Sequence, residues 1–312
     1  MSRTDRNLNF NDIWMKISEG LEHIYRNQEM LLESYLHLYA VVYNYCTNSQ
    51  PQSDGSEIRG TLTQNNRQNN VHDGVNRVGG ELYTKLKNYL KNYLKELFEK
   101  ARNYQGKSLL HFYITSMENY RFSSKVTNGF CHYLNRHWVR PEYDSGRRDV
   151  YEIFTMAMEI WKLVLFQPLQ SQLTSACLQL INDERQNEII NTRFIRAVVQ
   201  SYIEPDLNED SFVPNYSHQK TSPTLKMYKE YFEVPFLQNT EQFYHQEAAN
   251  FLFHNSVEQR FQEETYRVES YLHPSTLTPL MKNLERVLIH EQVEEIYTQA
   301  KALLHVENYS GI

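Results

Sequence analysis

The side chains that could do chemistry are scattered along the chain. His290-Glu291-x-x-Glu294 approaches the spacing that sets two imidazoles on one helix face for zinc, but a glutamate stands where the second histidine belongs. A charged, solvated helix face is the plainer reading. His132 and His137 are five residues apart, off the three-or-four spacing that aligns two ligands on a helix. Gly79-Gly80 precedes a helical pattern, but no strand leads into it and no Lys-Ser/Thr pair follows, which argues against a phosphate cradle. Cys46, Cys131 and Cys177 are far apart, with no Cys-x-x-Cys pair, and read as buried free thiols of a reducing compartment. No nucleophile–base constellation emerges, so the reading is of a protein without an active site, metal or cofactor.

Charge points the same way. The net charge of −6 gives no general attraction to nucleic acid or anionic lipid. Arg136, His137, Arg140, Arg147 and Arg148 are interleaved with Trp138 and Tyr143 as in a nucleic-acid patch. Glu142, Asp144, Asp149 and Glu152 lie among them and favour local ion pairs instead. Lys85, Lys87, Lys91 and Lys95 read as the solvated face of a helix. No run approaches eighteen uncharged apolar residues and the N-terminus lacks an apolar core, so neither a membrane span nor a signal peptide is expected. The expected location is the cytoplasm and nucleus.

The elements that would position any site are helices. Glycine (10) and proline (9) are scarce for 312 residues, which favours long helices over turn-rich β structure. Asn11 or Asp12 can cap a first helix with Ile13, Ile17, Leu21 and Ile24 on one face. From Thr47 to Gly80 there is no Phe, Trp or Tyr, and half of the glycines appear, so 47–80 is expected to be a disordered internal loop. Periodicity returns at Leu82, Leu86 and Leu90. A new helix is expected to start at Ser123 or Ser124 and to stop at Pro141, with 141–148 as a joint between units. Further helices are expected over 150–166, 169–184, 192–203 (ended by Pro205), 224–232, 236–254, 257–272, 274–290 and 291–305. A dozen or so helices joined mostly by short turns predict an all-α, elongated α-solenoid or bundle.

One helix has more large apolar residues than one buried face can take. Between Gln28 and Cys46, Leu31, Leu38, Val41, Val42 and Tyr45 fall on one side. Leu32, Tyr35, Leu36, Tyr39 and Tyr43 recur at three and four on a neighbouring side. An aromatic stripe is more often core than interface, but here the first set already supplies a core face. Tyrosine offers a large ring at low entropy cost and a hydroxyl that tolerates water, so the second set reads as a partner face.

Longer stretches carry a resemblance. NDIWMKISEGLEHIYRNQEM, YLHLYAVVYNYCT, GGELYTKLKNYLKNYL, YRFSSKVTNGFCHYLNRHWVRPE, INTRFIRAVVQSYIE, PTLKMYKEYFE and ESYLHPST, in order from about Asn11 to Val306, resemble the N-terminal region of cullins. The likeness is strongest to the SCF-type branch. The resemblance implies stacked five-helix cullin repeats: a disordered 1–10, a first repeat over 11–140, a second over 150–290, and the start of a third over 291–312. It implies a non-catalytic scaffold of a ubiquitin ligase, docking a Skp-type adaptor of BTB/POZ-like fold and, through it, F-box substrate receptors. The adaptor-binding positions carried over are Tyr35, Leu36, Tyr39 and Tyr43 on the second helix and Tyr133 and Arg136 on the fifth. The cullin-exchange factor is a further implied partner. Two departures follow. Pro141 stands where the family commonly has a second basic residue, implying a shorter or bent joint. The family continues beyond the position of Ile312 into a domain that wraps a RING protein, so a 312-residue chain is expected neither to hold RING protein nor to recruit an E2. The alternative reading, if 312 residues is the natural length, is a chain that sequesters adaptor without ligase output; as a fragment of a longer protein it keeps the ordinary scaffold role.

Overall fold

The structure, a computed structural model, describes residues 10–27, 29–48, 67–207, 225–251, 257–291, 293 and 297. Among these residues all regular structure is helical. In chain order the helices are α1 (Phe10–Glu22), α2 (Leu32–Asn48), α3 (Arg67–Ala101), α4 (Gly106–Phe130), α5 (His132–Leu134), α6 (Arg140–Asp144) and α7 (Ile153–Trp161). They continue with α8 (Gln167–Arg185), α9 (Thr192–Leu207), α10 (Lys226–Tyr228), α11 (Val234–Phe251), α12 (Val257–Tyr271) and α13 (Leu277–Glu285). The chain divides into two compact units, one from Met1–Asn103 and Thr115–Pro168, the other from Tyr104–Ile114 and Leu169–Ile312.

Several expected helix boundaries are corrected. No break falls at Ser123 or Ser124, which lie fully buried inside α4. Pro141, Pro168 and Pro205 do not end their helices, which run on to Asp144, Arg185 and Leu207. Pro141, Pro168 and Pro235 each sit two residues after a π-helical turn, namely Asn135–Val139, Lys162–Phe166 and Lys229–Glu233. In each case the N–H just before the proline reaches back five residues, as Val234 does to the Lys229 carbonyl. A proline inside an α-helix lacks a donor and crowds the carbonyl four residues earlier. The wider turn supplies the extra room. It also leaves carbonyls to be satisfied elsewhere. Thr174 Oγ1 donates to the Tyr231 carbonyl, four residues before Pro235, at 3.0 Å. At the π-helical turn His23–Asn27, Ser123 Oγ donates to the Ile24 carbonyl at 3.0 Å and the Tyr93 hydroxyl to that of Tyr25 at 2.9 Å.

The segment 47–80, expected as a loop, is helical at both of its ends. α2 continues to Asn48 and α3 already begins at Arg67, while 49–66 lie outside the described residues. Extending a helix from a packed segment costs far less than nucleating one, so weak helix formers N-terminal to Leu82 can join it. Residues 1–9, and most of 292–312, also lie outside the described residues.

In the first unit the core is aromatic. Tyr25 packs on Tyr93 at 5.2 Å and on Tyr120 at 5.5 Å, and Tyr120 on Trp161 at 5.1 Å. The buried hydroxyls are paired: Tyr25 with Ser124 at 3.2 Å, and Tyr120 donating to the Ala157 carbonyl at 2.9 Å. Gly79 and Gly80 line the seat of the Trp138 indole against α3, so this pair serves close packing. In the second unit a buried carboxylate, Glu264, accepts from Arg185 through both oxygens, at 2.8 and 3.1 Å, and from Tyr244 at 2.9 Å and Arg267 at 2.9 Å. Four donors on one carboxylate are what make so deep a charge tolerable.

Candidate functional site

α2 packs against α1, α3 and α5. Leu38, Val42 and Tyr45 are buried, and Leu38 lies across Gly20 of α1. On the neighbouring face Leu32 is 73% exposed, Leu36 55% and Tyr43 44%. Tyr35 and Tyr39 are half-buried between them. The stripe anticipated from periodicity is therefore a solvent-facing ridge. Leu31, which the sequence placed on the core side, is 75% exposed. The helix starts one residue later, and Leu31 accepts from the Tyr35 N–H at 3.0 Å as its cap, so a helical wheel does not apply to it.

Elements beyond α2 hold the ridge. The Tyr43 ring meets Tyr133 of α5 edge-on, with centroids 4.9 Å apart and planes at 74°. Tyr133 stacks on His137, at 4.0 Å and 22°. Desolvation, with Tyr43 beside it, raises the Tyr133 phenol above its ordinary range. Desolvation and the neighbouring Arg136 and His132 lower the His137 imidazole. Arg136 is exposed within the π-helical turn three residues after Tyr133. Tyr35 is seated on α4: its hydroxyl lies 2.6 Å from where a β-carbon on Gly129 would be.

The asparagines of the segment NGFCHYLN position this end of the site. Asn135 donates to Asn128 at 2.8 Å. The side-chain oxygens of Asn135 and Asn128 accept the Ile153 and Phe154 N–H groups at the start of α7, at 3.0 and 3.1 Å. α4, the π-helical turn and α7 are thus tied by side chains that also satisfy a helix N-terminus. Among the expected ion pairs of the basic segment, Arg147 pairs with Glu142 at 2.7 Å and Asp149 at 3.0 Å. Arg148 lies over the Tyr143 ring at 4.4 Å. Burial pushes the Cys46 thiol up to about 12 and raises those of Cys131 and Cys177 well above the ordinary thiol range, which removes the thiolate needed for reactivity.

Periodicity marks five ridge residues of α2, Leu32, Tyr35, Leu36, Tyr39 and Tyr43, and the family likeness adds Tyr133 and Arg136. Periodicity does not point to Gly129 and puts Leu31 on the wrong face, and spacing marks His137 only as out of register with His132. The only signal for Gly129 was a glycine in a helical pattern with no turn to explain it.

The arrangement defines a class: an all-α protein that offers an ordered aromatic and aliphatic ridge. Among the described residues no group of three or more His, Cys, Asp or Glu side chains converges as a metal would require, and no helix is long and apolar enough to cross a membrane. Residues 14–311 match the family model described as the Cullin alpha solenoid domain, and the chain belongs to the cullin family. It is 38% identical over 303 residues to Cullin-1 of Caenorhabditis elegans, an alignment covering 94% of this chain and 38% of the relative. It is 33% identical over 310 residues to Cullin-1 of Dictyostelium discoideum, covering 96% and 38%. Cell division control protein 53 of Saccharomyces cerevisiae is 25% identical over 285 residues, covering 89% and 32%. The chain thus spans about a third of the length of these relatives.

Proposed function

We propose that this chain is a non-catalytic scaffold segment of an SCF-type cullin–RING ubiquitin ligase, holding a Skp-type adaptor of BTB/POZ-like fold and, through it, F-box substrate receptors. The likeness to proteins named Cullin-1 supports the branch. The observation that carries the docking site is the division of labour on α2, where Leu38, Val42 and Tyr45 are buried while Leu36 and Tyr43 stay exposed beside Tyr39 and Tyr35. Rigid rings backed by a second helix are the side chains that dominate protein interfaces, because little entropy is lost when they are covered. In this reading Tyr35, Leu36, Tyr39, Tyr43 and Tyr133 form the apolar centre and Arg136 the polar rim. The cullin-exchange factor is a further partner in this reading, and the complex works in the cytoplasm and nucleus. The test is capture of purified adaptor by the wild-type chain and by Tyr35→Ala/Leu36→Ala. The double variant is expected to keep its helicity and lose capture. Retained capture with the fold intact would refute the docking site.

A further inference from the structure

We infer that Gly129 is a positioning residue of the ridge: the missing side chain at the end of α4 is the seat of the Tyr35 hydroxyl, and it sets how far the Tyr35 ring stands out of α2. This rests on the docking function proposed above.

The geometry separates Gly129 from the chain's other tightly packed helical glycines. Above Gly20 lies Leu38 and above Gly79 lies Trp138, both 4% exposed core side chains. A methyl at either position would press on packed interior. Above Gly129 the nearest atom is the Tyr35 hydroxyl, at 2.6 Å from the position a β-carbon would take, while Cε2 and Cζ of the same ring are at 3.5 Å. Tyr35 is half-buried, not a core side chain. Its ring tip can therefore swing outward, at little cost to the core.

The Gly129 backbone adds no conformational demand, because its φ lies outside the left-handed region and alanine suits a helix better than glycine. An alanine there is consequently tolerated by the fold and resisted only by the ridge. Ridge shape matters to a partner because interface anchors work by filling pockets of fixed form. The Tyr43–Tyr133–His137 contacts hold one end of the ridge. The Tyr35–Gly129 seat holds the other.

A double-mutant cycle tests this, read by titrating purified Skp-type adaptor into the full chain and by unfolding in urea. Gly129→Ala is expected to leave the unfolding midpoint unchanged or raised and to weaken adaptor binding by about tenfold. The same change made in a Tyr35→Phe background is expected to cost almost nothing in affinity, because without the hydroxyl the nearest ring atom sits at ordinary contact distance. An equal loss in both backgrounds, or no loss in either, overturns the inference. A fall in the unfolding midpoint on Gly129→Ala that Tyr35→Phe does not repair also overturns it, since the methyl would then be meeting something other than that hydroxyl. Tyr35→Ala/Leu36→Ala serves as the control. If it binds adaptor normally, the docking function itself fails; if it loses binding while Gly129→Ala does not, only the role of Gly129 falls.

Discussion

Leu36 and Leu38 are two residues apart on one helix, and the two-faced account of α2 requires that trimming them to alanine have different effects. Leu38 is 4% exposed and lies across Gly20, whereas Leu36 is 55% exposed. Truncating a leucine buried this deeply removes its transfer energy and leaves a cavity, so Leu38→Ala should cost about 2–5 kcal/mol. Leu36 has surrendered less than half of its surface to the protein, and alanine is the better helix former, so Leu36→Ala should cost less than about 1 kcal/mol. The chain has three tryptophans, Trp14, Trp138 and Trp161, all in the first unit. Their fluorescence during urea unfolding therefore reports on the unit that contains α2. The expected result is a clear drop in midpoint for Leu38→Ala and almost none for Leu36→Ala. Equal losses would mean that both faces are core, and the docking argument would lose its basis.

The remaining predictions concern the elements that support the ridge and the second unit. Glu264→Gln leaves Arg185 and Arg267 buried without their shared carboxylate, and should cost about 3–5 kcal/mol in urea unfolding followed by circular dichroism; a loss under about 1 kcal/mol would show that the charge is not structurally required. Thr174→Val removes the donor to the Tyr231 carbonyl and the partner of Tyr202, and should cost about 1–3 kcal/mol, whereas Thr174→Ser should cost much less. His273 accepts the Ser275 N–H through Nδ1 at 3.2 Å, and desolvation lowers its imidazole below the usual 6.5. Between that lowered value and 6.5 the unfolded chain binds more protons than the folded one, so this contribution is present above 6.5 and is lost as pH falls through the folded value. His273→Asn should flatten the decline in midpoint between pH 7 and 5, and an unchanged slope would refute the assignment.

Much of the fold was legible in the sequence because apolar periodicity is a local signal. α1, with Ile13, Ile17 and Leu21 at four-residue intervals, needed nothing else. Proline was the misleading cue. At Pro141, Pro168 and Pro235 the chain absorbs the ring with a π-helical turn, a device set by neighbours such as Thr174 that are remote in sequence. Tyrosine was ambiguous in the same way. Tyr25 and Tyr120 are core because Ser124 and the Ala157 carbonyl take their hydroxyls, and only the pairing partners distinguish them from Tyr43. The ridge of α2 could be anticipated because Leu38, Val42 and Tyr45 accounted for a core face. The seat of Tyr35 on Gly129 could not, since it depends on where α4 passes α2.

The most direct measurement is side-chain footprinting by hydroxyl radicals, comparing the chain alone with the chain bound to purified Skp-type adaptor. The expected result is protection of Tyr35, Leu36, Tyr39, Tyr43 and Tyr133, with Tyr266 and Leu163, which are exposed elsewhere, labelled equally in both states. Unchanged labelling of the five ridge residues in a saturated complex, with protection appearing on another face, would contradict the account.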